Sequence, residues 1–390
     1  MINIDEPAHK QFRPAIFRLG FRPFFLFGSI FSVFALGLWA MTLSGKINFQ
    51  PHGNPIWWHG HEMIFGFVSA IVIGFLLTAV QNWTGQPGLK GWPLIGLFLL
   101  WLLGRVALLN STLLSLPLAA SIDLLFLPMA SLALFISVYK VKQWRNMIFV
   151  PVLLLLTLMN AISYLGVFIA DMSLMNTALY GAVIIITFIV ALLGGRVIPF
   201  FTDRASDWQR TPNLPALEIA TIATLALTLV AFFSGSELFL QIASALAGLV
   251  IFARWSRWGW NYTFKVPLLW SLHFSFIFIP IGLFLIAAGF PLSIGLHSLT
   301  VGGMGGMILA MMARVSLGHT GRQLVPPKPV VFGFALMILA TIARITAGLV
   351  SDLYLPMIVT AVLFWCIAFG LFILFYASML MQPRADGRPG

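Results

Sequence analysis

His61 and His297 are the residues whose spacing most readily supports chemistry. Each follows a proline by six positions, Pro55 and Pro291. A proline in the first turn marks a helix start. Each imidazole therefore lies six residues into its helix, about 9 Å from the helix end at 1.5 Å per residue. Two imidazoles at one depth on two helices can take opposite faces of one iron, and bis-histidine haem ligation needs only that geometry and a dry slot. Gly302, Gly303, Gly305 and Gly306 strip side chains from the helix after His297, and Gly66 does so after His61. The same glycines also read as a helix-packing face. Cys366 is the single cysteine and there is no CxxCH. Any haem here, expected as haem b, would thus be held non-covalently, and a thiolate zinc site is excluded.

Other ionisable residues fall within apolar stretches, where they are costly and usually paired or functional. His59 and Glu62 share a helix face, whereas His59 and His61 point nearly oppositely. Glu62 can orient a ligating imidazole, relay protons, or sit in headgroup water. Arg105 and Arg344 are candidates for haem propionates, since arginine forks suit carboxylates. The competing reading pairs Arg105 with Asp123 and Arg344 with Asp352. His273, at mid-span, reads as a ligand or a packed, hydrogen-bonded residue. His319 lies 22 residues beyond His297, about 33 Å along a helix, so the two cannot share a metal. With Arg196, Arg314 and Arg322 it forms either a second anionic site or a plain basic loop, and the loop is favoured. The methionines at 304, 307, 311 and 312 read as packing. His9 and His52 are expected in solvent.

The elements that position these groups are membrane spans. The chain has 390 residues, 60% hydrophobic and only 8% charged, with a mean hydropathy of +0.99. Soluble domains carry about 25% charged residues, so an ordinary cytosolic enzyme and a disordered chain are both excluded. Apolar stretches of span length fall near 24–44, 55–82, 92–109, 113–139, 146–169, 175–198, 214–233, 238–254, 264–288, 291–315, 330–350 and 354–381. The fold expected is an all-α integral membrane protein of twelve transmembrane helices, one domain over 1–390. A polar, basic N-terminal segment (1–22) precedes the spans and a short tail (382–390) follows them.

All but Lys46, Arg105 and Arg344 of the 22 basic residues fall at the N-terminus, in the even-numbered loops or in the tail. The positive-inside rule then places both termini in the cytoplasm. It also accounts for the net charge of +11 with the lipid bilayer as partner and no nucleic acid. The second and tenth spans align without gaps at an offset of 236, matching Pro55 with Pro291, His61 with His297, Gly66 with Gly302 and Thr84 with Thr320. The sixth span fits halfway, where Arg196-Val197 match Arg314-Val315. The arithmetic points to three pseudo-repeated four-helix units. HExxH, a P-loop, GxGxxG in a strand–helix setting and a clear catalytic triad are all absent, which leaves metal or cofactor chemistry.

Several stretches resemble the NnrS family: Trp58-His59-Gly60-His61-Glu62-Met63 with Phe65-Gly66-Phe67, the run from Gly74 to Gly85, Phe21-Arg22-Pro23-Phe24-Phe25, Gly195-Arg196-Val197-Ile198-Pro199-Phe200, and the run from Met311 to Arg322. They extend from the first span to the tenth. The resemblance implies a bacterial inner-membrane protein of twelve spans, containing haem and copper and associated with denitrification and resistance to nitric oxide. Twelve spans with histidines on the second and tenth are also similar to the catalytic subunit of haem–copper oxidases. The sixth and seventh spans lack histidine, so the metal triad of those enzymes has no counterpart. Copper would have to use His59, His273, His52 or methionine sulfur.

The function expected is that of a haem-b inner-membrane protein that binds or turns over nitric oxide. The haem would be held by His61 and His297, with an unidentified electron donor if the gas is reduced. The rival readings are a non-catalytic nitric oxide sensor or haem- and copper-handling protein, and a secondary transporter.

Overall fold

A computed structural model of the chain describes residues 14–212 and 214–388. Those residues are helical throughout their regular structure, with no strand among them. The helices are α1 (Phe21–Leu43), α2 (Pro55–Thr84), α3 (Trp92–Leu108), α4 (Leu116–Lys140), α5 (Trp144–Phe168), α6 (Met172–Ala205), α7 (Pro215–Phe233), α8 (Glu237–Ser256), α9 (Pro267–Ala287), α10 (Leu292–His319), α11 (Lys328–Leu349) and α12 (Ser351–Met381). Eleven are long and apolar enough to cross a membrane, and α3 is shorter at 17 residues. This is a multi-pass membrane protein.

Local chemistry sets the starts and breaks. Pro55 opens α2, and the Asn54 side chain caps it by accepting from the amides of Ile56 (3.0 Å) and Trp57 (2.9 Å), satisfying two donors that a helix start leaves orphaned. Helices α4, α5 and α9 are each interrupted at one residue, Leu125, Ile148 and Ile277. In each case a proline follows three positions later, at Pro128, Pro151 and Pro280. The missing proline N–H and the ring's clash with the carbonyl four residues back account for all three breaks.

Helix α1 begins at Phe21, so Arg22 lies inside it and not in the leading basic segment. Its guanidinium is fully buried and donates to the carbonyls of Leu380 (2.9 Å), Gln382 (2.7 Å) and Met379 (3.4 Å). Those are the orphan acceptors at the end of α12, where a cation is favoured.

The described chain forms two compact units. The first comprises residues 1–179, 315–324 and 372–390, and the second residues 180–314 and 325–371. In the first, α1 packs on α2, α4 on α5 and α2 on α4; in the second, α7 packs on α8, α8 on α9, and α9 and α11 on α10.

Helices α2 and α10 share a departure from α geometry. Glu62–Val68 and Ser298–Gly306 are π-helical, and each begins directly after the histidine of interest. The two onsets are 236 residues apart, the same offset that aligns the two sequences. Insertions of this kind are rare and concentrate at functional sites. In α2, loosened carbonyls find new donors: the Trp101 indole N–H reaches Gly66 O (2.8 Å), and the Ser69 hydroxyl reaches Ile64 O (2.9 Å).

Candidate functional site

The first unit encloses a cluster of charged side chains that no apolar core requires. His61 and Glu62 on α2, Arg105 on α3 and Asp123 on α4 are all at most 4% exposed. Adjacent helical residues ordinarily diverge, yet His61 Nδ1 lies 2.9 Å from Glu62 Oε1, at the onset of the π turn. Arg105 donates through Nη1 to the same Oε1 (2.5 Å) and through Nη2 to Asp123 Oδ1. His61 Nε2 faces Asn160 Oδ1 on α5 at 2.9 Å and Asp123 Oδ2 at 3.3 Å. Asp123 Oδ2 also accepts from Asn160 Nδ2 (2.8 Å) and the Tyr164 hydroxyl (3.1 Å). Glu62 Oε2 is buried with no hydrogen-bond partner among the described residues.

Aromatic rings enclose the His61 imidazole, with centroids at 4.7 Å (Trp57), 5.2 Å (Phe65) and 5.2 Å (Tyr164). Arg105 also lies over the Phe31 ring at 5.9 Å. Gly66, one turn after Glu62, lets the Arg105 guanidinium pass close to the α2 backbone. The pairing of Arg105 with Asp123 is thus present, and Glu62 joins it. Neither Asn160 nor Tyr164 was singled out by sequence. Their signal was an amide and a phenol four residues apart, on one face of an otherwise apolar span.

His59 stacks flat on Trp39, with centroids at 4.6 Å and planes at 8°. His52, expected in solvent, is 5% exposed, because the segment before α2 folds inward and its amide donates to Leu108 O (3.4 Å). His9 lies outside the described residues. His319 packs on the Phe21 ring at 5.5 Å, and its carbonyl accepts from Arg384 Nη1 (3.1 Å). Arg322 Nη1 donates to Thr320 O (3.2 Å).

In the second unit His297 is half-buried, and its Nδ1 lies 2.6 Å from the carbonyl of Ser293, one turn back. A carbonyl only accepts, so Nδ1 carries the proton and Nε2 the lone pair. Arg344 Nη2 approaches that ring, 3.2 Å from Nε2 and 3.1 Å from Nδ1. Arg344 therefore turns to His297 and not to Asp352. The glycines after His297 do not leave a slot. A β-carbon on Gly303 would meet Ile279 at 2.9 Å, one on Gly302 would meet Phe278, one on Gly306 would meet Ser275, and one on Gly305 would meet Trp365. They are the close-packing face of α10, as small residues in membrane helices commonly are.

His273 is fully buried, and its Nε2 lies 2.9 Å from Thr202 Oγ1 on α6. That hydroxyl already donates to Ile198 O (2.9 Å), so it accepts from Nε2–H. The lone pair is left on Nδ1, which has no hydrogen-bond partner among the described residues. Arg254 on α8 forks onto both Glu218 oxygens on α7 and donates to Ala191 O (2.8 Å). The sequence reading missed this pair, although opposite charges on consecutive spans were its signal. Arg314 lies over the Phe201 ring at 3.8 Å. Among the described residues no group of three or more His, Cys, Asp or Glu side chains is placed to hold a metal ion.

No curated protein matches the chain. Residues 15–384 match the family described as NnrS protein, which is nearly the whole length, and the chain belongs to the NnrS family.

Proposed function

We propose that this nitric-oxide-related membrane protein binds nitric oxide at a haem b attached through His297. The cytoplasmic membrane, with both termini inside, is the setting favoured by the distribution of basic residues. Copper, if present as a second metal, would draw on His273 Nδ1 or on His59. Reduction of the gas would further require an external electron donor; binding alone requires none.

The observation that carries the reading is the bond from His297 Nδ1–H to the Ser293 carbonyl. Metal-bound histidines characteristically donate their second N–H to a carbonyl or carboxylate, which holds the ring and makes Nε2 the donor atom. Arg344, beside the ring, supplies a guanidinium suited to a haem propionate. His61 does not fit the same role as placed. Both of its nitrogens face oxygen acceptors, and ligation would require it to abandon Glu62 and Asn160. His297 is thus the residue proposed to hold the haem, with the Arg344 guanidinium, 3.2 Å from Nε2, turning from that atom to a propionate. A haem iron with one protein ligand keeps a position open for a diatomic gas. Nitric oxide is neutral and lipid-soluble, so it reaches such a position without a polar channel.

Absorption spectra of the detergent-purified, dithionite-reduced protein, taken before and after addition of nitric oxide, test this. A Soret band that shifts with the gas, is lost in His297→Ala and persists in His61→Ala is the expected result. A colourless wild-type protein after expression with ample haem would overturn the haem assignment. Full haem content in His297→Ala would overturn the ligand.

A further inference from the structure

We propose that the cleft between the first turn of α7 and the end of α8 holds the headgroup phosphate of an anionic phospholipid, gripped by Arg254 and Arg257. The cleft is lined by Trp208 from the loop before α7, by Leu214, Leu217 and Glu218 at the start of α7, and by Arg254 and Arg257 at the end of α8. Arg254 is only 3% exposed and lies over the Trp258 ring at 5.4 Å. A guanidinium carries five N–H donors. Nε and Nη2 donate to the two Glu218 oxygens and Nη1 to Ala191 O, which uses three of them. Two donors of a buried cation are left unmet by the described residues, and unmet buried donors are costly. Phosphate oxygens in the cleft would meet them with charge-assisted bonds.

Charge and depth both favour a lipid. The Arg254 fork neutralises Glu218, and the exposed Arg257 then adds a positive charge. In the loop before α7, Asp203 and Asp207 offset Arg204 and Arg210, whereas the connection from α8 to α9 carries Arg257 and Lys265 with no acidic residue. The positive surplus therefore follows Arg254 along the chain. Glu218 is the fourth residue of α7 and Arg254 lies two residues before the end of α8, so each is within about 6 Å of its helix end. That is headgroup level, where tryptophans such as Trp208 and Trp258 concentrate and where basic clefts between spans suit anionic headgroups. Leu214, at the rim, is exposed. Further into the spans, Ile219 and Ile222 on α7 and Leu249 and Phe252 on α8 are exposed as well, an apolar surface for acyl chains that a soluble phosphate would not use.

Native mass spectrometry of the delipidated, full-length protein in detergent, titrated with phosphatidylglycerol or with phosphatidylcholine, tests the site. Phosphatidylglycerol should bind severalfold more tightly than phosphatidylcholine. Arg257→Gln, at an exposed position that the fold does not depend on, should lower that preference severalfold. Arg145→Gln, which removes an exposed charge at the start of α5, should leave it unchanged. Equal binding of the two lipids, an undiminished preference in Arg257→Gln, or an equal loss in both variants would each overturn the proposal, the last by reducing the effect to general surface charge. Inorganic phosphate alone should not raise the unfolding midpoint; a rise that Arg257→Gln abolishes would assign the cleft to a soluble anion and overturn the lipid.

Discussion

Arg105 passes α2 at Gly66, where a β-carbon would lie 2.6 Å from Arg105 Nη1 and 3.0 Å from Glu62 Oε2. The absent side chain lets a guanidinium reach two carboxylates on two helices. A methyl group also meets Phe31 there at 2.8 Å. Gly66→Ala should therefore destabilise the protein by more than the ~1–3 kcal/mol typical of an overpacked core, because the Arg105 pairs are strained as well. Tryptophan-fluorescence unfolding in detergent measures this; an unchanged midpoint would show that the guanidinium has room to move.

Replacing Arg105 removes the partner of two buried carboxylates. Breaking one buried pair from one side costs ~3–5 kcal/mol, so Arg105→Met should leave little folded protein. Arg105→Lys keeps the charge but loses the fork to Glu62 and Asp123, and should fall between the two. Denaturant midpoints across the three proteins give the order.

At His297, the Arg344 guanidinium lies 3.1 Å from Nδ1 and 3.2 Å from Nε2. Arg344→Met should leave folding nearly intact and lower the haem content of the purified protein severalfold, by loss of a propionate partner. The haem-to-protein ratio measures it. Undiminished haem would remove Arg344 from the site while leaving the His297 assignment standing.

Thr202→Val keeps the shape of α6 but deletes the hydroxyl that accepts from His273 Nε2–H. A buried N–H left unsatisfied costs ~1–3 kcal/mol. The expected fall in stability should be absent when His273→Phe is combined with it, since no donor then remains. A double-mutant cycle checks this coupling.

Gly195 provides a second close approach. A β-carbon there would overlap the Arg254 guanidinium, which bonds Glu218 and Ala191. Gly195→Ala should displace Arg254 and lower the unfolding midpoint, whereas alanine at Gly37, inside α1 with open space around it, should stabilise the protein by up to ~1 kcal/mol.

Much of this architecture was legible in the sequence because hydropathy is local. A run of apolar residues of span length forms a helix in a membrane whatever its neighbours do, since its backbone polar groups must be satisfied internally. Prolines and Asn54 set helix starts and breaks by equally local rules. The match of Pro55–His61 to Pro291–His297 located the two helices that carry π turns, though not the turns themselves, because a π insertion depends on donors such as Trp101 arriving from another helix. The side chains that meet were decided only in three dimensions. Arg105 had Asp123 as a readable partner, but the inclusion of Glu62, Asn160 and Tyr164 follows from the rotation and register of α2 to α5. His61, read from its depth as a ligand, has an oxygen of Glu62 and one of Asn160 opposite its two ring nitrogens. The sequence by itself determined the spans and the family. The tertiary structure decided the partners, because a partner is set by the atoms opposite a side chain, which local pattern does not encode.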